Sequence, residues 1–198
     1  MVNMGLIYKQ QNGIQDAKKM FKAAKDADRR NIGAIINLGC IEFEQGNYDE
    51  ASISFLDALE IKPDDEEALC NLALSLKKTN YIEYAQIAFE EAVNVSPGNT
   101  FILTNYMMFL LEQKYFEQFD KVLPHARRIM DKNELDIVVK LHEEFKTVVD
   151  GTAGVLDEAM LGRPDNKMES SLKSALKTVL ARRMTLRLSQ VEEEGSFA

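Results

Sequence analysis

Two consecutive stretches of 34 residues, Ile32–Asp65 and Glu66–Asn99, carry matching residue types at matching places. Ile35 corresponds to Leu69, Leu38 to Leu72 and Gly39 to Ala73. Further along, Ala51 pairs with Ala85, Phe55 with Phe89, Ala58 with Ala92, Leu59 with Val93 and Pro63 with Pro97. A fixed period of this length marks one supersecondary unit that is repeated and stacked, because a single unit cannot bury its own apolar face. The residue types fit a pair of antiparallel helices. Small residues (Gly39, Ala73, Ala51, Ala58) let the helices approach, and large ones (Leu38, Phe55, Phe89) fill the groove between neighbours. Pro63 and Pro97 close each unit, since proline cannot continue a helix. Gln45-Gly46-Asn47 is the expected hairpin turn, with Gly46 suited to positive φ and Asn47 to capping the next helix. Thr79-Asn80 does similar work one period later.

The frame extends both ways. Upstream, Met4-Gly5, Tyr8, Ala17, Phe21 and Ala24 fall on the same positions. Met1 then lies inside that unit's first helix, which leads to the expectation of further repeats upstream. Downstream, Thr100 to Asn133 keeps the length but places Met107 and Phe119 where small residues belong. Pro124 is expected to interrupt its second helix. A degenerate last unit is what the end of an array requires. Asn133 to Asp150 predicts one more amphipathic helix, with Leu135, Val138, Leu141, Phe145 and Val148 on one face. Residues 151–167, with three glycines and Pro164, predict a loop.

This pattern resembles the tetratricopeptide repeat (TPR), through Leu38-Gly39, Ala51, Phe55, Ala58 and Pro63 and their counterparts in the next unit. Two positions depart from it: Ile35 or Leu69 stands in place of the family's early aromatic, and Glu42 or Leu76 in place of its later tyrosine. The resemblance implies an all-α fold, a right-handed α-solenoid of TPR helix hairpins with C-terminal capping helices. The expected division is residues 1–133 as the array, 134–167 as capping helix and loop, and 168–198 as a basic amphipathic helix with an acidic tail. It also implies a scaffold that binds other proteins in a larger assembly, with no enzymatic activity, cofactor or small-molecule substrate. The run Leu103-Thr104-Asn105-Tyr106, followed by the degenerate unit, resembles TPR subunits of ciliary and trafficking assemblies. A cytoplasmic location, at a cilium or the cytoskeleton, is the corresponding expectation.

The rest of the sequence narrows the chemistry. No glycine-rich phosphate loop is present, because Gly151-Thr152-Ala153-Gly154 lacks the following lysine. His125 and His142 fall on separate helices and read as surface or half-buried residues, with no metal-ligand partners. Cys40 and Cys70 form neither a disulfide framework nor a metal motif, as expected of a reducing compartment. Acidic pairs such as Asp64-Asp65, Glu90-Glu91 and Glu143-Glu144 read as solvated faces and first-turn charges. A net charge of −8 disfavours nucleic acid, whose phosphates reward clustered positive charge. No stretch reaches the roughly 18 apolar residues a spanning helix needs.

One segment runs against the acidic average. Met168 to Gln190 predicts a helix with Lys173, Lys177, Arg182, Arg183 and Arg187 against Glu169 alone. Its favoured reading is a cap packed on the array; a partner-binding helix comes next and membrane contact last. Arg182-Arg183-Met184-Thr185 also has the form of a basophilic kinase site.

In the TPR family the first helix of each pair lines a binding groove. Carried over position by position, that face comprises Gly33, Ile36, Cys40, Phe43 and Glu44, then Glu67, Cys70, Leu74, Lys77 and Lys78, then Phe101, Thr104, Met108, Leu111 and Glu112. The candidate contacts are thus Ile36, Cys40, Phe43, Cys70, Leu74, Lys77, Lys78, Met108 and Leu111, a largely apolar floor suited to a helical or extended apolar segment. A chaperone-cofactor module is the alternative, but Ile36 and Cys40 stand where its carboxylate clamp would need lysine and asparagine. A peripheral membrane or trafficking adaptor using the basic helix is the other.

Overall fold

The computed structural model describes residues 1–151, and these form helices only. In order they are α1 Val2–Gln10, α2 Ile14–Ala27, α3 Ile32–Glu44, α4 Tyr48–Ile61, α5 Glu66–Lys78, α6 Ile82–Val95, α7 Thr100–Glu112, α8 Phe116–Ile129 and α9 Lys132–Gly151. The backbone keeps the period of the sequence. Helices α2, α4, α6 and α8 are each 14 residues long and start 34 residues apart, while α3, α5 and α7 are each 13.

Short polar signals set these boundaries. Asn31, Asp65 and Asn99, again one period apart, are the N-caps of α3, α5 and α7. Their side-chain oxygens accept from the N–H groups of Ala34 at 3.0 Å, Ala68 at 3.1 Å and Ile102 at 3.3 Å. Each satisfies a first-turn donor that has no partner within the helix. Every helical hairpin then turns through one left-handed residue: Asn12 (φ 62°), Gly46 (82°), Asn80 (62°) and Lys114 (59°). Gly46 takes this conformation without a Cβ penalty, and asparagine tolerates it. Asn47 occupies the N-cap position of α4, but its side chain makes no capping bond, contrary to expectation.

Packing divides the chain into two units, which split between Ala88 and Phe89. In the first, α1 pairs with α2, α2 with α3, α3 with α4 and α4 with α5, while α3 also touches α5. Its core uses the predicted small-and-large code. Phe21 and Phe55 are fully buried, and their rings lie over Gly5 and Gly39. A Cβ at Gly5 would sit 2.6 Å from Cε1 of Phe21, and one at Gly39 would sit 2.8 Å from Cε1 of Phe55. Glycine at these two places is therefore a packing requirement.

In the second unit, α7 packs on α8 and α9, and α8 on α9. Phe89 lies against Tyr106 and Phe109, with ring centroids 5.9 and 5.2 Å away. Two expectations are corrected here. Pro124 does not interrupt its helix, since α8 runs through it from Phe116 to Ile129. The hydrogen bond that proline forfeits would have gone to the carbonyl of Asp120, and both residues are exposed. Water can serve that carbonyl, while buried Phe119 and Ala126 hold the helix in place. His142 is not at the surface but buried, stacked on Phe119 with centroids 4.3 Å apart and an 18° interplanar angle. Its Nε2 lies 3.7 Å from Oδ1 of Asp120. Of the apolar face predicted for α9, Leu135 and Val138 are buried, whereas Phe145 is 39% exposed.

Candidate functional site

The groove face expected from the sequence falls within the described residues on α3 and α5 of the first unit, and on α7 of the second. The first unit brings its members together. The Nδ2 of Asn71 on α5 lies 3.7 Å from the Sγ of Cys40 on α3, so the two first helices meet along this face. Cys40, Phe43, Leu74 and Lys77 are half-buried and Lys78 is exposed. Phe43 rests edge-on against Tyr48, with centroids 5.1 Å apart. Ile36 and Cys70 are buried, 4% and 2% exposed, and so belong to the floor beneath the accessible residues. On α7, Met108 is half-buried and Leu111 is fully buried. Phe101, at the start of α7, is 65% exposed. Leu103 and Tyr106, from the run resembling ciliary subunits, are both buried, and the Tyr106 hydroxyl donates to Oε1 of Glu90 at 3.1 Å, so packing and that bond account for their residue types. The basic residues Lys173, Lys177, Arg182, Arg183 and Arg187, together with the kinase-site run ending at Thr185, lie outside the described residues.

One feature of this face escaped the sequence reading. Asparagine occupies positions 3, 37, 71 and 105, each one period from the next. The amide of Asn37 donates to the carbonyl of Gly33 at 2.8 Å, and that of Asn105 to the carbonyl of Phe101 at 2.8 Å. An asparagine amide carries a donor and an acceptor side by side, the same pair that an extended main chain presents. Comparing every position across the period, rather than only the apolar ones, would have exposed the pattern.

The electrostatics of the face are mixed. Lys9, near the end of α1, pairs with Glu44 on α3 at 2.8 Å. The Glu67 carboxyl is held above its ordinary range, chiefly by the protein packed around it and then by Asp65, with Lys9 opposing and Glu66 adding. Burial pushes the Cys70 thiol up to about 12, with Glu67 adding to the effect. Burial also pushes Cys40 up to about 11, with Lys9 opposing and Glu67 and Glu44 adding. Both thiols therefore stay protonated at neutral pH and serve as small apolar packing groups, not nucleophiles. Alkylation by iodoacetamide at pH 8 is expected to run at least tenfold slower at Cys40 than at a free thiol, and Cys70 is expected to react only on unfolding. Rapid labelling of both in the native chain, followed by mass spectrometry, would refute this. Among the described residues no cluster of His, Cys, Asp and Glu could hold a metal ion, and no helix is long and apolar enough to cross a membrane.

Comparison with known proteins fits this geometry. Residues 39–80 match a TPR repeat family model, and residues 66–99 match a second, the tetratricopeptide repeat. The two matches together span residues 39–99. Among solved structures, YrrB, described as a TPR protein with an unusual peptide-binding site, is similar over 96% of this chain and 89% of its own, at 12% identity and a TM-score of 0.63. MamA aligns with 92% of this chain and 96% of its own, at 12% identity and a TM-score of 0.58. PilF of Pseudomonas aeruginosa aligns with 78% of this chain and 76% of its own, at 15% identity and a TM-score of 0.60. At these identities the likeness is one of fold, an all-α TPR solenoid. No curated protein matches the sequence. The repeat matches and the fold suggest a protein–protein interaction module.

Proposed function

We propose that the chain is a scaffold or adaptor subunit of a larger assembly, and that it holds a helical or extended apolar segment of a partner along the first-helix face of α3 and α5. One observation carries this reading. Two adjacent helices present half-buried Cys40, Phe43 and Leu74 beside Asn37 and Asn71 in the same register. Apolar anchors give the guest its affinity, and amides one period apart can grip its main chain. YrrB, of the same fold, is described as having a peptide-binding site. The partners recovered would name the assembly, whether ciliary, trafficking or another.

The test is affinity purification with mass spectrometry, comparing the native chain with Asn71→Ala/Leu74→Glu. Ile36→Glu would be a poor probe, because Ile36 is only 4% exposed and a charge there would unfold the repeat. Fully burying a leucine side chain contributes about 1.5–3 kcal/mol, so the double variant should lose one set of partners at tenfold or more. Its helical circular dichroism should stay unchanged. An identical partner list from a folded variant would sink the proposal.

A further inference from the structure

The second helix of every repeat turns one register position to solvent, and the residue standing there changes along the chain. It is Lys19 on α2, Ile53 on α4, Ile87 on α6 and Lys121 on α8, each 34 residues from the next and all exposed. The two isoleucines are 43% and 36% exposed, and both lie in the first unit. Asp49 and Glu83 stand one turn before them, and Asp57 and Glu91 one turn after. Helix α4 holds four acidic side chains and α6 three, and neither holds a lysine or arginine, whereas α2 holds four lysines. The Nζ of Lys25 on α2 reaches Oδ2 of Asp57 at 3.3 Å, so this face already takes up a cation from a neighbouring helix. A single exposed isoleucine is ordinary. The same residue at the same place in two successive repeats, ringed by carboxylates both times, makes an apolar centre with an acidic rim, the anatomy of a docking surface.

We propose that the exposed face of α4 and the start of α6, centred on Ile53 and Ile87, seats the chain's own segment 168–190 as a helix. Charge complementarity selects this occupant. The segment carries Lys173, Lys177, Arg182, Arg183 and Arg187 against Glu169 alone, a net charge of +4, while the chain as a whole carries −8. Its apolar residues, among them Leu172, Leu176, Val179 and Leu180, recur at helical spacing beside those cations. A helix of this length is marginal in water until its apolar stripe is covered, so it gains most from a surface that offers apolar contact and opposite charge together. The 16 residues between Gly151 and Met168 span up to about 50 Å when extended, more than twice the length of a 14-residue helix. Tethering holds the segment at an effective concentration of about 1 mM, an advantage that a basic helix from a separate protein lacks. The groove of the first helices is a poorer complement, because Lys77 and Lys78 stand at the end of α5 and Lys9 beside Glu44. The segment and the guest of the groove therefore use different faces and do not compete.

The test is amide exchange read by mass spectrometry on the full chain, with a synthetic peptide of residues 168–190 as the unbound reference. Seated, the segment is expected to exchange about tenfold more slowly than the peptide. Ile53→Ser/Ile87→Ser should return it to the peptide's rate, and so should Glu50→Lys/Glu60→Lys. All four of these positions are exposed, so the helical circular dichroism of both variants should match the native chain. Lys173→Glu/Lys177→Glu should release the segment too, and it leaves α4 and α6 untouched. Leu74→Glu should change nothing, which separates this surface from the groove. Exchange at the peptide's rate in the native chain, or protection that survives all three releasing variants, would overturn the proposal. Protection lost with Leu74→Glu would assign the segment to the groove, and protection that falls on dilution would assign the face to a second copy. Either of those results overturns it as well.

Discussion

Phe55→Ala should destabilise the chain by about 3–5 kcal/mol, a large share of the roughly 5–15 kcal/mol a domain usually has. Phe55 is fully buried, and its ring lies directly over Gly39 on the partner helix of its hairpin. The truncation removes a large apolar area and leaves a cavity whose walls are helical backbone at Gly39 and the fully buried Ala51 and Leu59. Such walls collapse poorly, which puts the cost in the upper part of the range for buried aromatics. Because repeats are stabilised mainly by their immediate neighbours, the loss should appear first as local opening. Urea titration would give the lowered midpoint, and amide exchange should show α3, α4 and α5 losing protection together. A loss below about 1 kcal/mol would mean that the ring is not the keystone of this hairpin.

Much of the fold was legible because the period amplifies weak signals. A single Gly39 or Ala51 says little, but each recurs as a small residue one period away, facing an aromatic that also recurs. Agreement between repeats therefore placed α2 to α6 and the turn at Gly46. Where residue type and period disagree, or the period carries no information, local packing decides. Lys114 takes the left-handed turn position although its residue type gives no hint of it, and only its place one period after Asn80 marks it. Pro124 reads as a breaker, and only its exposed place on α8 explains why the helix survives. The burial of His142 depends on Phe116 and Phe119 of α8, a contact between helices outside the repeat pattern.

The candidate site was less legible than the fold. Periodicity says which side of a first helix faces inward, but not how far its neighbours close over it. Hence Cys40, Phe43 and Leu74 lie partly open, whereas Ile36, Cys70 and Leu111, assigned to the same face, are buried. The asparagines at 37 and 71 went unread because attention to apolar recurrence passes over polar positions, although the second lies against Cys40.

Gly39→Val is expected to cost at least 1–3 kcal/mol, about the range for overpacking a filled core, although glycine is a poor helix residue. A Cβ there would lie 2.8 Å from Cε1 and 3.0 Å from Cζ of Phe55, and 3.1 Å from Cβ of Ser54. The first two contacts are closer than real Cβ atoms tolerate or at that limit, and the fully buried ring has nowhere to move. The helix-propensity gain from replacing glycine with valine is only a few tenths of a kcal/mol, about a fifth of the clash, so the clash wins. Gly33→Ala is the matched control, because the nearest atom to its Cβ is 3.7 Å away and that change should stabilise by up to about 1 kcal/mol. The pair of substitutions must therefore move the urea midpoint in opposite directions. Combining Gly39→Val with Phe55→Ala sharpens the test. If the two side chains compete for one space, the valine fills part of the cavity and the double variant is more stable than the sum of the single losses allows. Strict additivity would mean that Gly39 and Phe55 do not share that space, and that the small residue in each hairpin is there for some reason other than its ring.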